Sequence, residues 1–232
     1  MIITDAHFHP LDLIGNTCTG VSASSVPQQW QELLNLDCPC VLGIHPWNAC
    51  DDNDDYYLEK LNSFLTSSKV IGIGEIGLDV AKLPKDTLGK QIELLTKQLE
   101  IAQKYSLPCV FHCVRAYGRL LDILRSYHKM RGLIHSFWGS TEIMQEFVKR
   151  GFYISLNPRL AMRDDLQEKL KKIILHIPLE RLLLESDSPY GLSSPAELFN
   201  LSKKLSKLLS MSQDDLLKQH QVNLKNLFFY SF

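Results

Sequence analysis

Five separated segments of the chain carry residue types that bind divalent metal ions, and each follows a short apolar run. The candidate ligands are histidines and carboxylates: His7, His9, Glu75, His112, His135 and Asp187. His7 and His9 are two residues apart on an extended segment, so both imidazoles point to one face and can converge on one ion. A mixed set of nitrogen and oxygen donors accepts zinc, manganese or magnesium, so the pattern does not select one metal.

Glu75 is the residue on which the predicted metal site depends most. It ends the apolar run that begins at Val70, where a carboxylate is costly to bury unless it is paired. Its two oxygens can contact two cations, which predicts a carboxylate-bridged two-metal site. The alternative is an exposed glutamate just past a strand. Glu75 and Asp187 are the predicted catalytic residues: a metal-bound hydroxide would form near neutral pH, and Asp187 would ligate an ion and accept a proton.

Short apolar runs alternate with amphipathic segments through nearly the whole chain, which predicts alternating strands and helices. The predicted strands cover residues 2–6, 17–23, 40–44, 70–75, 108–112, 132–136, 152–156 and 181–185. The predicted helices cover residues 27–36, 55–66, 87–105, 116–129, 140–149, 164–176, 196–209 and 213–229.

Eight strand–helix units imply a parallel sheet, and eight units can close into a (β/α)8 TIM barrel with the candidate ligands at one mouth. The rival architecture is an open doubly wound sheet, whose usual sign is a glycine-rich turn after the first strand. This chain instead has His7-Phe-His-Pro10 at that place. No linker divides the sequence, so a single domain is predicted over residues 1–232.

Composition limits the classes of protein to consider. Hydrophobic residues make up 45% and charged residues 22% of 232 residues, with a formal net charge of -1. This balance does not suit a protein that coats duplex nucleic acid, although two divalent ions could still attract a phosphate. No segment has the roughly 20 consecutive apolar residues of a membrane span. No signal peptide is expected, and Cys109 and Cys113 are predicted to be small buried hydrophobes in a reducing, cytoplasmic compartment.

Several ordered motifs resemble those of the TatD-like metal-dependent deoxyribonucleases, part of the amidohydrolase-type barrel superfamily. They are Asp-x-His-x-His (5–9), Gly-Ile-His-Pro (43–46), Gly-Glu-Ile-Gly-Leu-Asp (74–79), His112 at a strand end, His-Ser-Phe-x-Gly (135–139) and Glu-Ser-Asp-Ser-Pro-Tyr (185–190). The resemblance extends from residue 5 to residue 190, with weaker agreement beyond.

The resemblance implies a slightly distorted eight-stranded barrel, two divalent ions and hydrolysis of phosphodiester bonds, in many members as a 3′-to-5′ exonuclease on DNA. Carried over by position, one metal would be held by His7, His9 and Asp187. The other would be held by His112 and His135, with Glu75 bridging the pair.

Three departures concern the surroundings of the metal site. The segment from Gly191 to Glu197 is short and has no Arg or Lys, where family members often have a longer basic loop. Val114 stands where the family often has an arginine, and Arg115 follows it. The region 11–39 is also short. The preference for DNA is therefore less well supported by the sequence than hydrolysis itself.

Seven further residues receive a predicted role. His45, Arg115, Trp138 and Arg159 are predicted to contact the substrate, with Trp47 as a second residue that could stack on a base. Asp5 and Glu185 are predicted to orient ligand imidazoles through their far ring nitrogens. Each has an ordinary structural alternative: a packed histidine or tryptophan, a surface ion pair, or a capping carboxylate.

Two other functions remain open from the sequence. The same metal site could hydrolyse an ester or cyclic amide of a small molecule, which the near-neutral charge would suit. A barrel without activity could serve as an interaction module, although the retained ligand types argue against it. The expected partner is DNA or another phosphodiester, with no membrane, and the protein is expected to be a monomer.

Overall fold

Eight parallel strands form a nearly closed barrel, which confirms the predicted TIM-barrel fold. The computed structural model describes residues 3–10, 19–49, 53–82, 87–189 and 195–230. Within them the strands follow one another around the sheet in chain order. They are β1 (Asp5–Phe8), β2 (Gly20–Ser22), β3 (Cys40–Leu42), β4 (Val70–Asp79), β5 (Cys109–Val114), β6 (Gly132–Ile134), β7 (Tyr153–Leu156) and β8 (Leu182–Leu184).

Helices lie between the strands and follow the predicted segments closely. They are α1 (Trp30–Asn35), α2 (Asp54–Phe64), α3 (Leu88–Tyr105), α4 (Tyr117–Leu124), α5 (Thr141–Lys149), α6 (Pro158–Met162), α7 (Gln167–His176), α8 (Pro195–Leu208) and α9 (Gln213–Phe228). The short helix α6 was not predicted, because its five residues give no helical period that a sequence pattern can show. Helix α4 ends five residues before its predicted limit at residue 129.

Two apolar clusters hold the barrel together. The larger one packs the outer faces of the strands against the surrounding helices. The smaller one takes one residue from every strand and is joined by Leu224, Leu227 and Phe228 of α9. Its strand residues are Ala6, Val21, Val41, Ile71, Val110, Leu133, Tyr153 and Leu183. Strands that are covered on both faces explain why their sequences are nearly continuous apolar runs.

The segment after β8 joins β1 and so closes the barrel. The backbone N–H of Asp187 donates to the carbonyl of His7 at 3.0 Å, and the N–H of His9 donates to Ser188 at 2.7 Å. His220 of α9 strengthens this seam: its Nε2 lies 2.6 Å from the carbonyl oxygen of Thr4, while the N–H of Leu184 donates to its Nδ1 at 3.2 Å. The seam therefore places the segments that carry His7, His9 and Asp187 side by side.

Strand β4 is longer than predicted, and this changes the position of two candidate ligands. Glu75 and His112 were predicted at strand ends, which is wrong: β4 continues to Asp79 and β5 to Val114. Residues 76–79 continue the ladder, since Ile76 pairs with Phe111 and Gly77 pairs with His112. The register shifts between Gly74 and Ile76, where Glu75 leaves the regular pairing. Such a bulge re-aims a side chain.

Some predictions fall partly outside the described residues. Residue 2 of the first predicted strand, residues 17 and 18 of the second, and Tyr190 with residues 191–194 lie there. Among the described cysteines, Cys40, Cys109 and Cys113 are buried free thiols. Cys38 is disulfide-bonded, which the sequence did not predict. Within the described segments, no helix has both the length and the apolar character that crossing a membrane requires.

Candidate metal centre

Glu75 lies at the centre of the site, 2% exposed, with a pair of histidines on each of its oxygens. Its Oε2 lies 3.5 Å from His7 Nε2 and 3.0 Å from His9 Nε2. Its Oε1 lies 3.3 Å from His112 Nδ1 and 2.7 Å from His135 Nε2. His7 lies on β1 and His9 directly after it, whereas His112 lies on β5 and His135 directly after β6. The carboxylate therefore has the arrangement expected of a bridge between two cations.

The nitrogen atoms within each pair also face each other. His7 Nε2 and His9 Nε2 are 3.2 Å apart, and His135 Nε2 and His112 Nδ1 are 3.3 Å apart. Asp187 completes the first group, with its Oδ1 at 3.8 Å from His9 Nε2. Imidazole nitrogens and carboxylate oxygens that converge on common points are the donor set of divalent transition metals. The residues present therefore fit two such ions.

The structure also shows compact groups of three donors among the described residues. The donor atoms of His7, His9 and Glu75 lie within 4.8 Å of one another, and so do those of His7, His135 and Asp187. A third group joins Glu75 and His112 with His45, which was predicted only as a substrate contact. All six predicted ligands are thus brought together, and none lies elsewhere in the fold.

Burial and charge act in opposite directions on the central groups. Burial raises the pKa of Glu75, but the neighbouring His135 and His7 lower it further, so that it lies well below its usual range. For His135 the balance is reversed: burial lowers its pKa, and the carboxylates of Glu75 and Glu185 hold it well above the ordinary value. Burial raises the pKa of Asp187. Glu75 is therefore negatively charged, and a cation that binds there must displace the proton that His135 holds, because only a neutral imidazole is a ligand.

The two carboxylates that were predicted to orient ligand imidazoles, Glu185 and Asp5, make different contacts. Glu185 Oε1 lies 3.4 Å from His135 Nδ1, the far ring nitrogen, although the two groups are not aligned as a hydrogen bond. The same carboxylate accepts hydrogen bonds from the N–H of Ser136 at 2.5 Å and the hydroxyl of Ser155 at 2.6 Å. Glu185 therefore lies beside the far nitrogen of His135, and its role in orienting that imidazole stays a prediction.

Asp5 differs from its prediction. Its Oδ1 accepts hydrogen bonds from the backbone N–H groups of His7 at 3.1 Å and Ser186 at 2.9 Å. The far nitrogen of His7, Nδ1, is buried and has no hydrogen-bond partner among the described residues. Asp5 therefore holds the backbone of the ligand segments rather than the imidazole of His7. Burial raises the pKa of Asp5 to about 7.

Asp79 is a functional residue that the sequence analysis did not single out. Its Oδ2 lies 3.2 Å from His112 Nε2 and accepts a hydrogen bond from Trp47 Nε1 at 2.7 Å. When Nε2 of His112 carries the proton, its Nδ1 presents a lone pair towards Glu75. The motif at 74–79 contains Asp79, but the predicted strand ended at residue 75, and only the continuation of β4 to Asp79 places its side chain on the same face as Glu75.

His45 and Trp47 are held by this arrangement. The N–H of Trp47 donates to His45 Nδ1 at 3.2 Å, while His45 Nε2 lies 3.9 Å from Glu75 Oε1. Burial, followed by the nearby His112, holds the pKa of His45 well below its usual range. The ammonium of Lys82 lies 3.1 Å from the centre of the Trp47 ring. These contacts favour packing, rather than base stacking, as the role of Trp47.

A cleft of about 1040 Å³ opens from the metal centre. All four predicted substrate contacts line it: His45, Arg115, Trp138 and Arg159. Lys169 and Lys172 of α7 also line it, and both were missed because they lie far along the chain from any motif. Besides Glu75, Asp79 and Asp187, the part of the wall that the structure describes contains one further carboxylate, Glu142. Away from the metal centre the wall is therefore mainly cationic, with four Arg and Lys side chains against Glu142.

Three residues around the cleft adopt left-handed backbone conformations. They are Arg115 (φ 56°), Ser136 (φ 48°) and Asp187 (φ 54°). Residues other than glycine seldom have positive φ, and such positions concentrate at sites where geometry serves function. The strain therefore falls beside the candidate ligands and on one of them.

Comparison with known proteins agrees with this geometry. The chain is 28% identical to the metal-dependent hydrolase YabD of Bacillus subtilis over 201 residues, covering 81% of this chain and 76% of that protein. It is 33% identical to the 3′-5′ ssDNA/RNA exonuclease TatD of Cronobacter sakazakii over 156 residues, covering 66% of this chain and 58% of that protein.

A solved structure adds the fold-level comparison. The crystal structure of YjjV, a TatD homologue from Escherichia coli K12, superimposes with a TM-score of 0.82 at 25% identity, covering 91% of this chain and 86% of that one. In the sequence comparison, the two chains are 33% identical over 151 residues, which is 64% of this chain. The aligned part covers 57% of the length of YjjV, which is less than two thirds. The family model described as TatD related DNase matches residues 6–229. The chain therefore belongs to the TatD-related DNase family.

Proposed function

We propose that this protein is a divalent-metal-dependent hydrolase of phosphodiester bonds, a TatD-like deoxyribonuclease with 3′-to-5′ exonuclease action on DNA. One observation carries the proposal: the two oxygens of Glu75 each face a separate pair of imidazole nitrogens at 2.7–3.5 Å. His7, His9 and Asp187 would hold one ion, and His112 and His135 the other. Glu75 would contact both.

The ions are zinc, manganese or magnesium in this proposal, because the mixed donor set suits all three. When bound, they would supply Lewis acidity towards the phosphate and lower the pKa of a coordinated water from about 15.7 to about 7. The remaining steps belong to the side chains around the site.

Asp187 is the proposed general base. Its Oδ1 lies beside His9, and burial raises its pKa, so the carboxylate is a better proton acceptor than an exposed one. It would take a proton from the attacking water. Because Asp187 and Glu75 are also proposed ligands, their substitution would remove both metal binding and proton transfer.

The cleft wall would bind the phosphate. In the neutral tautomer, His45 accepts the Trp47 N–H at Nδ1 and carries its own proton on Nε2, which lies on the Glu75 side of the ring. That N–H would donate to a phosphate oxygen. Arg115 and Arg159 would add charge at the rim, where developing negative charge needs compensation. A cationic wall favours a phosphodiester over an uncharged cyclic amide.

The test measures metal content and turnover together. Protein stripped with a chelator would receive Zn²⁺, Mn²⁺ or Mg²⁺ singly, with a single-stranded oligonucleotide, bis-p-nitrophenyl phosphate and a cyclic amide as substrates. Oligonucleotide cleavage should vanish on stripping and return with at least one metal. Glu75→Gln should lower kcat by more than about 100-fold and reduce bound metal, as should His112→Ala. The exposed Glu100→Gln variant on α3 is the matched control.

Two results would contradict the proposal. One is cleavage of the cyclic amide with no hydrolysis of either phosphodiester under any metal. The other is unchanged metal content and turnover in a folded Glu75→Gln variant. Circular dichroism would establish that each variant is folded before its activity is compared.

The proposal includes one domain over residues 1–232, a monomer and a cytoplasmic location. The buried free thiols of Cys40, Cys109 and Cys113 suit a reducing compartment, whereas the disulfide at Cys38 is more typical of an oxidising one. Sedimentation would test the monomer, and thiol titration of protein isolated from cells would test the compartment.

A further inference from the structure

One part of the cleft wall, called the arm below, is formed by the loop after β6 and by helix α7. Trp138 and Gly139 line it from the loop, and Lys169, Lys172 and Ile173 line it from the helix. Lys169 and Lys172 share a helix face because they are three residues apart. This arm contains none of the proposed metal ligands, so it is available to a part of the substrate that does not react.

Lys169 is a half-buried cation without a described counter-charge. Its ammonium donates a hydrogen bond to the backbone carbonyl of Trp138 and lies 5.9 Å from the centre of the Trp138 ring. No carboxylate of the described residues forms an ion pair with it, and burial lowers its pKa. A lysine has three donor protons, so the carbonyl leaves further protons free to bind an anion.

Its neighbour Lys172 is in a different position. A hydrogen bond from Ser140 and the nearby charges of His176 and Lys172 lower the pKa of Glu142. Lys172 therefore has a carboxylate in its vicinity, although the described residues give it no ion pair. Lys169 is the lysine of this wall whose ammonium is held in place, through the carbonyl of Trp138.

Trp138 lies close to the candidate ligand His135 along the chain. Its N–H donates to the Tyr117 hydroxyl at 3.0 Å, and its side chain is partly exposed in the cleft wall. It lies three positions after His135, so their Cα atoms are at most about 11 Å apart. At a rise of about 3.4 Å per nucleotide along a strand, this upper limit corresponds to no more than about three nucleotides.

We propose that Trp138 and Lys169 form a nucleotide subsite next to the metal centre, in which the Trp138 ring stacks on a base and Lys169 binds the phosphate of that neighbouring nucleotide. The subsite rests on the proposed phosphodiesterase function and names its substrate class: a single-stranded nucleic acid of at least two nucleotides. Aromatic stacking accepts any base, so the subsite would give little sequence preference.

A purely structural role for Lys169 makes a different prediction. As a connection between α7 and the loop that follows His135, it would affect the metal centre, and its removal would impair every substrate equally. A binding role affects a substrate with two nucleotides more than one that is too small to extend into the arm. The ratio of the two specificity constants therefore separates the roles.

The experiment compares Lys169→Gln with the parent on a single-stranded hexathymidylate and on methyl p-nitrophenyl phosphate. The ratio of kcat/KM for the oligonucleotide to that for the small diester should fall about tenfold, mostly through KM. The slope of log KM against log salt should fall by about 0.7, the value of one phosphate contact on a single strand. Lys171→Gln, an exposed neighbour on α7, is the matched control and should change neither quantity.

Trp138 is tested by substitution and by its fluorescence. Trp138→Leu should lower oligonucleotide binding about 5- to 150-fold, the range for loss of one stacked base, and Trp138→Phe should lower it less. Hexathymidylate should quench the fluorescence of the parent, and Trp138→Leu should remove most of that quenching.

The outcomes separate this subsite from the proposed function. If the parent cleaves the oligonucleotide but Lys169→Gln leaves the ratio unchanged, or lowers both substrates alike, the subsite is wrong and the hydrolase proposal stands. If the parent cleaves no phosphodiester, the hydrolase proposal fails. The subsite is then tested by fluorescence quenching alone. Binding of hexathymidylate that weakens in Lys169→Gln supports the subsite, and binding that does not weaken overturns it.

Discussion

Replacing Asp79 with Asn would test how the chain presents His112 to the metal centre. Four donors meet the two oxygens of Asp79. Oδ2 faces Trp47 Nε1 at 2.7 Å and His112 Nε2 at 3.2 Å, and Oδ1 accepts from the N–H groups of Ala81 at 2.8 Å and Lys82 at 3.0 Å. An asparagine supplies only one oxygen, so two of the four donors would face an amide NH₂.

The magnitude follows from this count. An unsatisfied buried donor costs about 1–3 kcal/mol, so the free energy of unfolding should fall by about 2–6 kcal/mol if neither donor finds another partner. A typical domain is stable by about 5–15 kcal/mol, so most of this range leaves the protein folded. Burial raises the pKa of Asp79, but these hydrogen bonds outweigh it and hold that pKa well below its usual range. The carboxylate is therefore charged at neutral pH.

The effect on the metal centre is a separate quantity. If the amide NH₂ of the asparagine donates to His112 Nε2, the ring proton must move to Nδ1, the atom that faces Glu75 at 3.3 Å. Loss of an orienting partner typically costs about 10- to 100-fold in metal affinity, or about 1.4–2.7 kcal/mol. The site formed by His7 and His9 should be affected less.

The assay is calorimetric titration of Zn²⁺ or Mn²⁺ into stripped protein, beside urea unfolding of the same sample. The exposed Asp122→Asn variant on α4 is the control and should match the parent in both measurements. Affinity for both ions within twofold of the parent, in an Asp79→Asn variant that is folded, would refute the role assigned to Asp79.

Two further predictions concern the barrel itself. Burial lowers the pKa of His220 from 6.5 to about 4, so the unfolded chain binds a proton first on acidification. The protonation of His220 should therefore lower the free energy of unfolding by about 3 kcal/mol between pH 6.5 and 4. In urea titrations, this decrease should be absent in His220→Gln and present in the exposed control His128→Gln. Gly77 has φ 146°, and a Cβ there would lie 1.9 Å from the His112 carbonyl oxygen. Gly77→Ala should lower the melting temperature and the metal content together, whereas Gly118→Ala, whose added Cβ meets no atom within 4 Å, should do neither.

The strand–helix alternation was visible in the sequence because it is local. A covered parallel strand is apolar throughout, and a surface helix repeats its apolar residues every three or four positions, so both patterns appear within short windows. The family and the barrel were predicted from ordered motifs and are confirmed by the family match and the superposition. The metal-ligand assignment stays a prediction, although the fold brings all six side chains together.

The strand ends were less predictable. Glu75 was placed where its apolar run pauses, yet β4 continues because Ile76, Gly77 and Leu78 pair with β5. That pairing joins segments more than thirty residues apart. A window on the sequence contains no information about such a partner, and the bulge at Glu75 exists only once the two strands are aligned.

The sequence by itself determined which residue types the site contains and that they lie at one end of a barrel, because both follow from local periodicity and motif order. Only the tertiary structure decided which ring nitrogen of His112 faces Glu75, that Asp5 holds a backbone rather than an imidazole, and that Asp79 and Lys169 join the site. Hydrogen bonds and charge interactions act over a few ångströms. Their partners are therefore settled by the closure of the barrel, which brings distant parts of the chain within that range.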